Sequence, residues 1–421
     1  MDIRETAVKI YKNTLEGKGC DLVAEPQDRA FVKRLLLTAL RRQEFLRKII
    51  AGYSAKKLPQ KMSFAQLAII LGAVEILYFS TPEYAVVNSY VALAKKLENK
   101  YCGGFVNAIL RKICADCKKI INMQQVPFFP SSFRRILSAD YTQSEVTAIE
   151  KTAMLEPLLD ITVKNNAEKW AEKLAGKLMP NGSVRLKDAG IINDLAGYDD
   201  GQWWVQDMAS SLAVQSLGDI RGKKVLDLCA APGGKTAQLI NAGAEVTAVD
   251  ISEKRLQTLK ENLQRLNLAA KEIVCADALD FLQNNKEQFD IILLDAPCSA
   301  TGTLRRHPEI VHTRTTKDIE QCAELQKKML NAVAPHITKG GILLYAVCSL
   351  SKTEGEKQIE TFVAENNQFK IEVINPQTIA GERKNEILSL VTPEGFLRCL
   401  PSHLKNDGGM DGFFIAKLKK E

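Results

Sequence analysis

Two cysteines lie just beyond apolar, β-branched runs and are each followed by serine: Cys298 in Asp295-Ala296-Pro297-Cys298-Ser299 and Cys348 in Val347-Cys348-Ser349. Free cysteine is usually an inert, small core residue. Cys229 and Cys275, read as lying inside strands, fit that description. Cys298 and Cys348 instead fall at strand ends, the edge of an α/β sheet where ligands bind. A third stretch, Asp227-Leu228-Cys229-Ala230-Ala231-Pro232-Gly233-Gly234-Lys235-Thr236, carries paired glycines that let backbone approach a ligand closely before a helix begins. Three acids, Asp250, Asp277 and Asp295, close three further strands.

Gly234-Lys235-Thr236 matches the end of a phosphate-binding P-loop, but that motif requires its first glycine at position 229, which is cysteine. A dinucleotide G-x-G-x-x-G is also absent. An acid at the end of the second strand, about 20 residues past a glycine turn, is placed to bond ribose hydroxyls. One such Asp, Asp250 included, is more often a helix cap. Three converging on one glycine loop favour a nucleoside-bearing ligand with no polyphosphate requirement, which points to S-adenosylmethionine. A methyl donor needs an acceptor, and pyrimidine carbon 5 is too weak a nucleophile until a thiolate adds at carbon 6. Cysteine suits that covalent step. An acid near ring nitrogen 3, a role open to Asp295, stabilises the charge that develops.

These groups need a scaffold, and the sequence after Gly222 supplies one. Short apolar runs (KKVLDLC, AEVTAVD, EIVCAD, FDIILLDAP, GGILLYAVCS) alternate with amphipathic segments such as Ser252 to Leu266. That pattern predicts a doubly wound, mostly parallel α/β sheet of Rossmann-like type over residues 218–421, covered on both faces. The closing DGFFIAKL reads as a final strand, antiparallel at or near the edge.

Residues 1–125 show helical spacing throughout, as in Phe31, Leu35, Leu36, Ala39 and Leu40, and predict an all-α domain. They hold 21 Lys+Arg against 11 Asp+Glu, a surplus of +10, whereas the remaining 296 residues hold 36 against 39. The cations cluster in Lys33-Arg34, Arg41-Arg42, Arg47-Lys48, Lys56-Lys57, Lys95-Lys96 and Arg111-Lys112. Any one pair is ordinarily a solvated helix face; the summed surplus favours a nucleic-acid partner. Pro127 and Pro130 then break the pattern. Residues 126–217 predict a small α+β module with a strand over Leu159–Lys164, a helix over Ala167–Leu178 and a strand over Ser183–Lys187.

The 421 residues, 46% apolar and 25% charged, exclude a disordered or collagen-like chain. Ten irregularly spaced cysteines behind an N-terminus with no apolar signal core predict a reduced, cytoplasmic protein rather than a disulfide scaffold. Cys114 and Cys117 form a lone C-x-x-C without a second pair or a nearby His, so no metal is expected. Phe64 to Phe79 contains Gln66 and Glu75 and falls short of the roughly 20 residues of a membrane span. It reads as a buried helix, and no membrane partner is expected. Nothing resembles a coiled coil, so a monomer is the default.

Four motifs in order, DLCAAPGGKT (227–236), DAPCSATGTLRRHPE (295–309), YAVCS (345–349) and DGFF (411–414), resemble the bacterial RsmB (Sun/Fmu) family of S-adenosylmethionine-dependent cytosine-5 methyltransferases acting on 16S ribosomal RNA. VQDMAS (205–210) resembles the family's entry to the catalytic domain, and GGFVNAILR (103–111) its NusB-like RNA-binding domain. The resemblance implies Cys348 as nucleophile and Cys298 as the residue that helps resolve the covalent RNA adduct. It implies cofactor contacts from Cys229, Ala230, Ala231, Pro232, Gly233, Gly234 and Lys235, with Asp250 at the ribose, Asp277 near the adenine and Asp295 bridging cofactor and base. Arg305 and Arg306 would face the RNA backbone.

Departures from the family pattern are Val347 where threonine usually precedes the nucleophile, Gly355 interrupting the usual Glu-Asn after it, and Val311-His312 where a Trp is expected. MLEPLLDITVKNN (154–166) diverges most. None removes a reacting atom. Alternatives are a cytosine-5 enzyme acting on transfer RNA or another ribosomal position, and a non-catalytic RNA-binding assembly factor.

Overall fold

The computed structural model describes residues 2–18, 26–54, 62–79, 81–123 and 129–421. The chain forms two compact units, one comprising Met1–Met154 with Arg306–Arg314, the other Leu155–Arg305 with Thr315–Glu421.

The first unit is helical: α1 (Ile3–Leu15), α2 (Pro26–Tyr53), α3 (Phe64–Tyr78), α4 (Glu83–Leu97), α5 (Cys102–Ala115), α6 (Cys117–Asn122), α7 (Ser131–Ser138) and α8 (Gln143–Ala153). Ser63 and Gln66 form a capping box that starts α3. Every residue from Ala65 to Leu77 is buried, as an all-round apolar helix requires, and α1, α2, α4 and α5 pack around it. Its one acid, Glu75, is fully buried and accepts from Arg4 Nε (2.9 Å), Arg4 Nη2 (2.7 Å) and the Tyr90 hydroxyl (2.7 Å). Several cations expected on a phosphate-facing surface also have local partners. Arg34 lies 4.6 Å over the Phe79 ring, Arg42 lies 4.3 Å over Tyr78, and Lys96 bridges Glu5 at 2.6 Å. Lys56 and Lys57 lie outside the described residues.

The chain continues as β1 (Leu159–Val163), α9 (Ala167–Lys173), β2 (Lys177–Leu178), β3 (Val184–Leu186), β4 (Trp203–Val205), α10 (Met208–Gln215), β5 (Lys224–Leu228), α11 (Gly234–Asn241), β6 (Glu245–Asp250), α12 (Glu253–Arg265), β7 (Glu272–Cys275), α13 (Ala278–Asn284) and β8 (Phe289–Asp295). Then come α14 (Ile310–Thr313), α15 (Thr316–Val333), β9 (Ile337–Val347), α16 (Glu356–Glu365), β10 (Phe369–Ile371), α17 (Pro376–Ala380), β11 (Leu397–Cys399) and β12 (Phe413–Lys420). Of these, α14 belongs to the helical unit. There His312 donates from Nε2 to the Leu40 carbonyl (2.9 Å), and Gln43 Nε2 lies 3.1 Å from His312 Nδ1.

The proposed three-part division shifts accordingly. α7 and α8, assigned from sequence to the middle module, fall in the helical unit. The module itself is a four-stranded antiparallel sheet in the order β2-β3-β1-β4. α10 buries Met208, Ala209 and Leu212 in the core of the larger sheet. The helix expected to run to Leu178 stops at Lys173, because Ala175 takes φ +48° and residue 177 starts a strand. A Cβ on Gly176 would meet Leu186 and Val184 side-chain atoms at 2.6 Å, so only glycine lets that corner close.

The larger sheet runs β10-β12-β9-β8-β5-β6-β7, with β11 beside β12. β9, β8, β5, β6 and β7 pair in parallel, and β12 lies antiparallel between β9 and β10. The closing strand is therefore one place in from the edge. Strand order reverses about β5, with β6 and β7 on one side and β8 and β9 on the other, which makes the carboxyl ends of β5, β6 and β8 the ligand-binding crevice of such a sheet. Among the described residues, no helix is long and apolar enough to cross a membrane.

Candidate active site

β5 delivers the chain into the glycine loop under tight constraint. Cys229, just past the strand rather than within it, takes φ +62°. Gly233 takes φ +99°, and a Cβ there would lie 2.8 Å from Leu259 Cγ. The loop is tied down by hydrogen bonds from Ala230 N to the Val249 carbonyl (3.1 Å), Gly233 N to the Ala230 carbonyl (2.9 Å) and Asn262 Nδ2 to the Pro232 carbonyl (3.1 Å). Gly234 opens α11, so loop and helix amides meet at the crevice.

The strand-end acids have unequal duties. Asp250 is buried; its Oδ2 accepts from Ala231 N (3.1 Å) and its Oδ1 from Ser252 N (2.9 Å). Arg255 Nη1 also lies 3.5 Å from Oδ2; an ionised carboxylate offers about four acceptor sites, so the second site on Oδ1 remains for a ribose hydroxyl. Asp277 is the N-cap of α13, accepting from Leu279 N (2.8 Å) and Asp280 N (3.3 Å). Asp295 sits 2.9 Å from Lys235 Nζ, and Lys235 also lies 4.9 Å over the Phe413 ring. Beneath them Asp227 is fully buried, accepting from the Thr236 hydroxyl (2.6 Å) on one oxygen, while no hydrogen bond among the described residues reaches the other. Burial, reinforced by the Asp295 and Asp250 charges, pushes the Asp227 carboxyl up to about 7.

This donor set fits a cationic nucleoside sulfonium. The crevice carries Asp250 and Asp295, with Asp227 beneath them, against Lys235 and Arg255, a balance of charge without the cluster of cations that a polyphosphate demands. Cys229 to Lys235, Asp250 and Asp277 are the residues that would hold it.

Asp295 and Ala346 are register partners in the parallel β8/β9 pair, so the residues leaving both strands run side by side. That brings Cys298 Sγ to 3.3 Å from Cys348 Sγ. The neighbouring Cys348 sulfur and burial both raise the Cys298 thiol well above its ordinary range. The two loops are stitched together by Gly302 N donating to the Cys348 carbonyl (2.9 Å) and Gly412 N donating to the Gly302 carbonyl (2.8 Å).

Two readings from sequence change. Arg305 is 1% exposed: Nη1 donates to the Gly408 carbonyl (2.6 Å), Nη2 to Asp411 (3.2 Å), and Asp207 lies at 3.7 Å. It is a structural cation that holds the 407–411 loop, not a residue facing RNA. Arg306 is half-buried and belongs to the helical unit. Cys275, expected in the core, is exposed at the last position of β7.

Residues that sequence reasoning missed are Glu354, fully buried between the two cysteine loops, and Arg398, which donates to the Ser349 carbonyl (2.6 Å) and pairs with Glu356. Gly355 makes room for that arginine, since a Cβ there would meet Arg398 Nη2 at 2.3 Å. Nothing in the local spacing of Glu354 or Arg398 marks either residue.

Comparison with known proteins agrees with this geometry. Residues 214–419 match the family described as 16S rRNA methyltransferase RsmB/F, and residues 1–115 match the NusB family. The chain is 32% identical over 410 residues to Ribosomal RNA small subunit methyltransferase B of Serratia proteamaculans, covering 94% of this chain and 91% of that protein. Against the protein of the same name from Pseudomonas syringae pv. tomato, identity is 32% over 447 residues, covering 100% and 97%. The structure of NSun6 from Pyrococcus horikoshii, solved with SFG, is similar in fold at a TM-score of 0.58 and 22% identity, covering 70% of this chain and 99% of that one. This chain belongs to the RsmB/F family of S-adenosylmethionine-dependent methyltransferases, with a NusB-family region at its N-terminal end.

Proposed function

We propose that this enzyme methylates carbon 5 of a cytosine in small-subunit ribosomal RNA through a covalent adduct to Cys348. The observation that carries this reading is the 3.3 Å pair of sulfurs beside the Lys235–Asp295 pair, at the crevice of a methyltransferase sheet. A single nucleophile would suffice for a direct displacement; two adjacent thiols suit a reaction that must both form and break a sulfur–carbon bond.

Cys348 ionises, with the Cys298 S–H donating to its sulfur, and adds to carbon 6 of an unstacked cytosine. Asp295, positioned by Lys235, carries a proton in this step and donates it to ring nitrogen 3, which neutralises the charge that addition creates; the proton returns to Asp295 when the adduct resolves. S-adenosylmethionine, when bound, supplies the electrophilic methyl group that the activated carbon 5 attacks. The carbon 5 proton then leaves to a base, the carbon 6–sulfur bond breaks, and Cys298 stabilises the departing Cys348 sulfur. The helical unit, which contains the 1–125 segment with the +10 surplus, holds the RNA by phosphate contacts.

The test is incubation of unmodified 16S ribosomal RNA with methyl-labelled cofactor, digestion to nucleosides and chromatography. Label in 5-methylcytidine is expected. Label in another nucleoside would overturn the chemistry, and labelled transfer RNA with unlabelled 16S RNA would overturn the substrate.

A further inference from the structure

We propose that Glu354 is a positioning residue of this reaction, setting the separation of the Cys298 and Cys348 sulfurs by clamping the residue that follows each cysteine. Its consequence for turnover rests on the function proposed above; its geometric content does not. Ser299, next to Cys298, gives Glu354 its backbone N–H (2.8 Å to Oε1) and its hydroxyl (to Oε2). Ser349, next to Cys348, gives its hydroxyl to the same Oε2 at 2.5 Å. Gln326 Nε2 reaches Oε1 at 3.1 Å and also donates to the Pro297 carbonyl at 2.8 Å, so it braces the loop that leads into Cys298.

The carboxylate is thus a bridge between two loops 50 residues apart in sequence. The Tyr345 hydroxyl donates to the Glu354 carbonyl (2.7 Å) and fixes the bridge to β9. Thr301 adds a parallel strut, accepting from Leu350 N at 2.9 Å and lying 3.2 Å from the Ser349 hydroxyl.

The hydrogen-bond capacity of the group decides its role. A carboxylate accepts at about four sites, and four donors from Ser299, Ser349 and Gln326 converge here. None is left over to take a proton from, or bond to, a substrate, so Glu354 acts through the cysteine loops. A carboxylate is also the side chain the place demands, because a glutamine offers a single acceptor oxygen to the same four donors.

The readout is the distance between the thiols. Full-length protein is treated with dibromobimane, which becomes strongly fluorescent on bridging two nearby thiols, and the bridged peptides are mapped. Wild type should yield the Cys298–Cys348 bridge. Glu354→Ala should lower that bridge at least about tenfold, the scale of one lost hydrogen bond to a charged group, while single alkylation of each cysteine persists. kcat on ribosomal RNA should fall about 10²-fold with cofactor affinity unchanged, since misplacing a reacting group by about 1 Å has that effect.

Glu354→Gln should be intermediate in both, and Ser349→Ala, which removes one strut, provides a milder variant if Glu354→Ala fails to fold. A bridge yield and kcat within twofold of wild type in folded Glu354→Ala, or in both milder variants, would overturn the proposal. Loss of the bridge in a protein whose wild type methylates no ribosomal RNA would leave the clamp standing and remove the proposed function instead.

Discussion

Lys235 Nζ lies 2.9 Å from Asp295 Oδ2, a contact that joins the start of α11 to the end of β8 across the crevice. The lysine side chain is about one-tenth exposed and the aspartate about one-third, so the pair is partly screened. In the proposed reaction its importance is orientation: it fixes the acid that would meet the target base. Lys235→Met should lower kcat/KM at least about 10²-fold, the scale of one lost preorganised charge contact, while Tm shifts little. Steady-state kinetics beside a thermal melt check this, and a kcat/KM within threefold of wild type would contradict it.

Asp227 makes stability depend on pH in a defined direction. Burial holds its carboxyl up to about 7 in the fold, while in the unfolded chain it titrates in the ordinary range near 4. Between those limits the folded state binds more protons than the unfolded one. The stabilisation is complete below about pH 4 and is lost as pH rises through about 7. Asp227→Asn removes this dependence and still accepts from Thr236. The Tm of the variant should therefore gain on wild type between about pH 5 and about pH 8; parallel curves would show that Asp227 does not titrate there.

Arg305→Ala should act as a stability mutation. It leaves Asp207 and Asp411 buried without their cation, at a cost of about 3–5 kcal/mol by analogy with broken buried pairs. Denaturant unfolding should show that loss. RNA affinity of the folded fraction should be unchanged; a selective loss of affinity at undiminished stability would restore the RNA-facing role.

Gly302→Ala tests the stitching of the cysteine loops. A Cβ at this position would lie 2.0 Å from the Gly412 carbonyl oxygen, which is backbone and has no rotamer to escape into. The loops must part, so stability should fall by about 1–3 kcal/mol, as for other overpacked sites, and methyl transfer should fall with it. Unchanged activity would mean that the 302–412 contact does not shape the site.

The parallel sheet was legible in sequence because its strands are short apolar runs that end in recognisable residues: Leu228 before the glycine loop, Asp250, Asp295 and Val347. Ligand-bearing strand ends follow from that order alone. Arg305 and Glu354 were misread or missed for one reason, partners distant along the chain. Arg305 beside Arg306 reads as an exposed basic turn, and only the fold brings Asp207 and Asp411 to it. Glu354 sits in a polar stretch with no periodicity, and its burial depends on Ser299 and Gln326. Pro127 and Pro130 suggested a domain boundary ahead of α7, yet the unit ends after α8, where Met154 closes it.

The central claim is that Cys348 attacks the base and Cys298 helps release it. It is tested most directly by incubating wild type, Cys348→Ala and Cys298→Ala with unmodified 16S ribosomal RNA and labelled S-adenosylmethionine, and resolving the products on a denaturing gel. Methylcytosine from wild type, neither product nor adduct from Cys348→Ala, and a denaturation-resistant protein–RNA adduct from Cys298→Ala are predicted. Methyl transfer by Cys348→Ala, or an adduct that forms with that variant, would contradict the assignment.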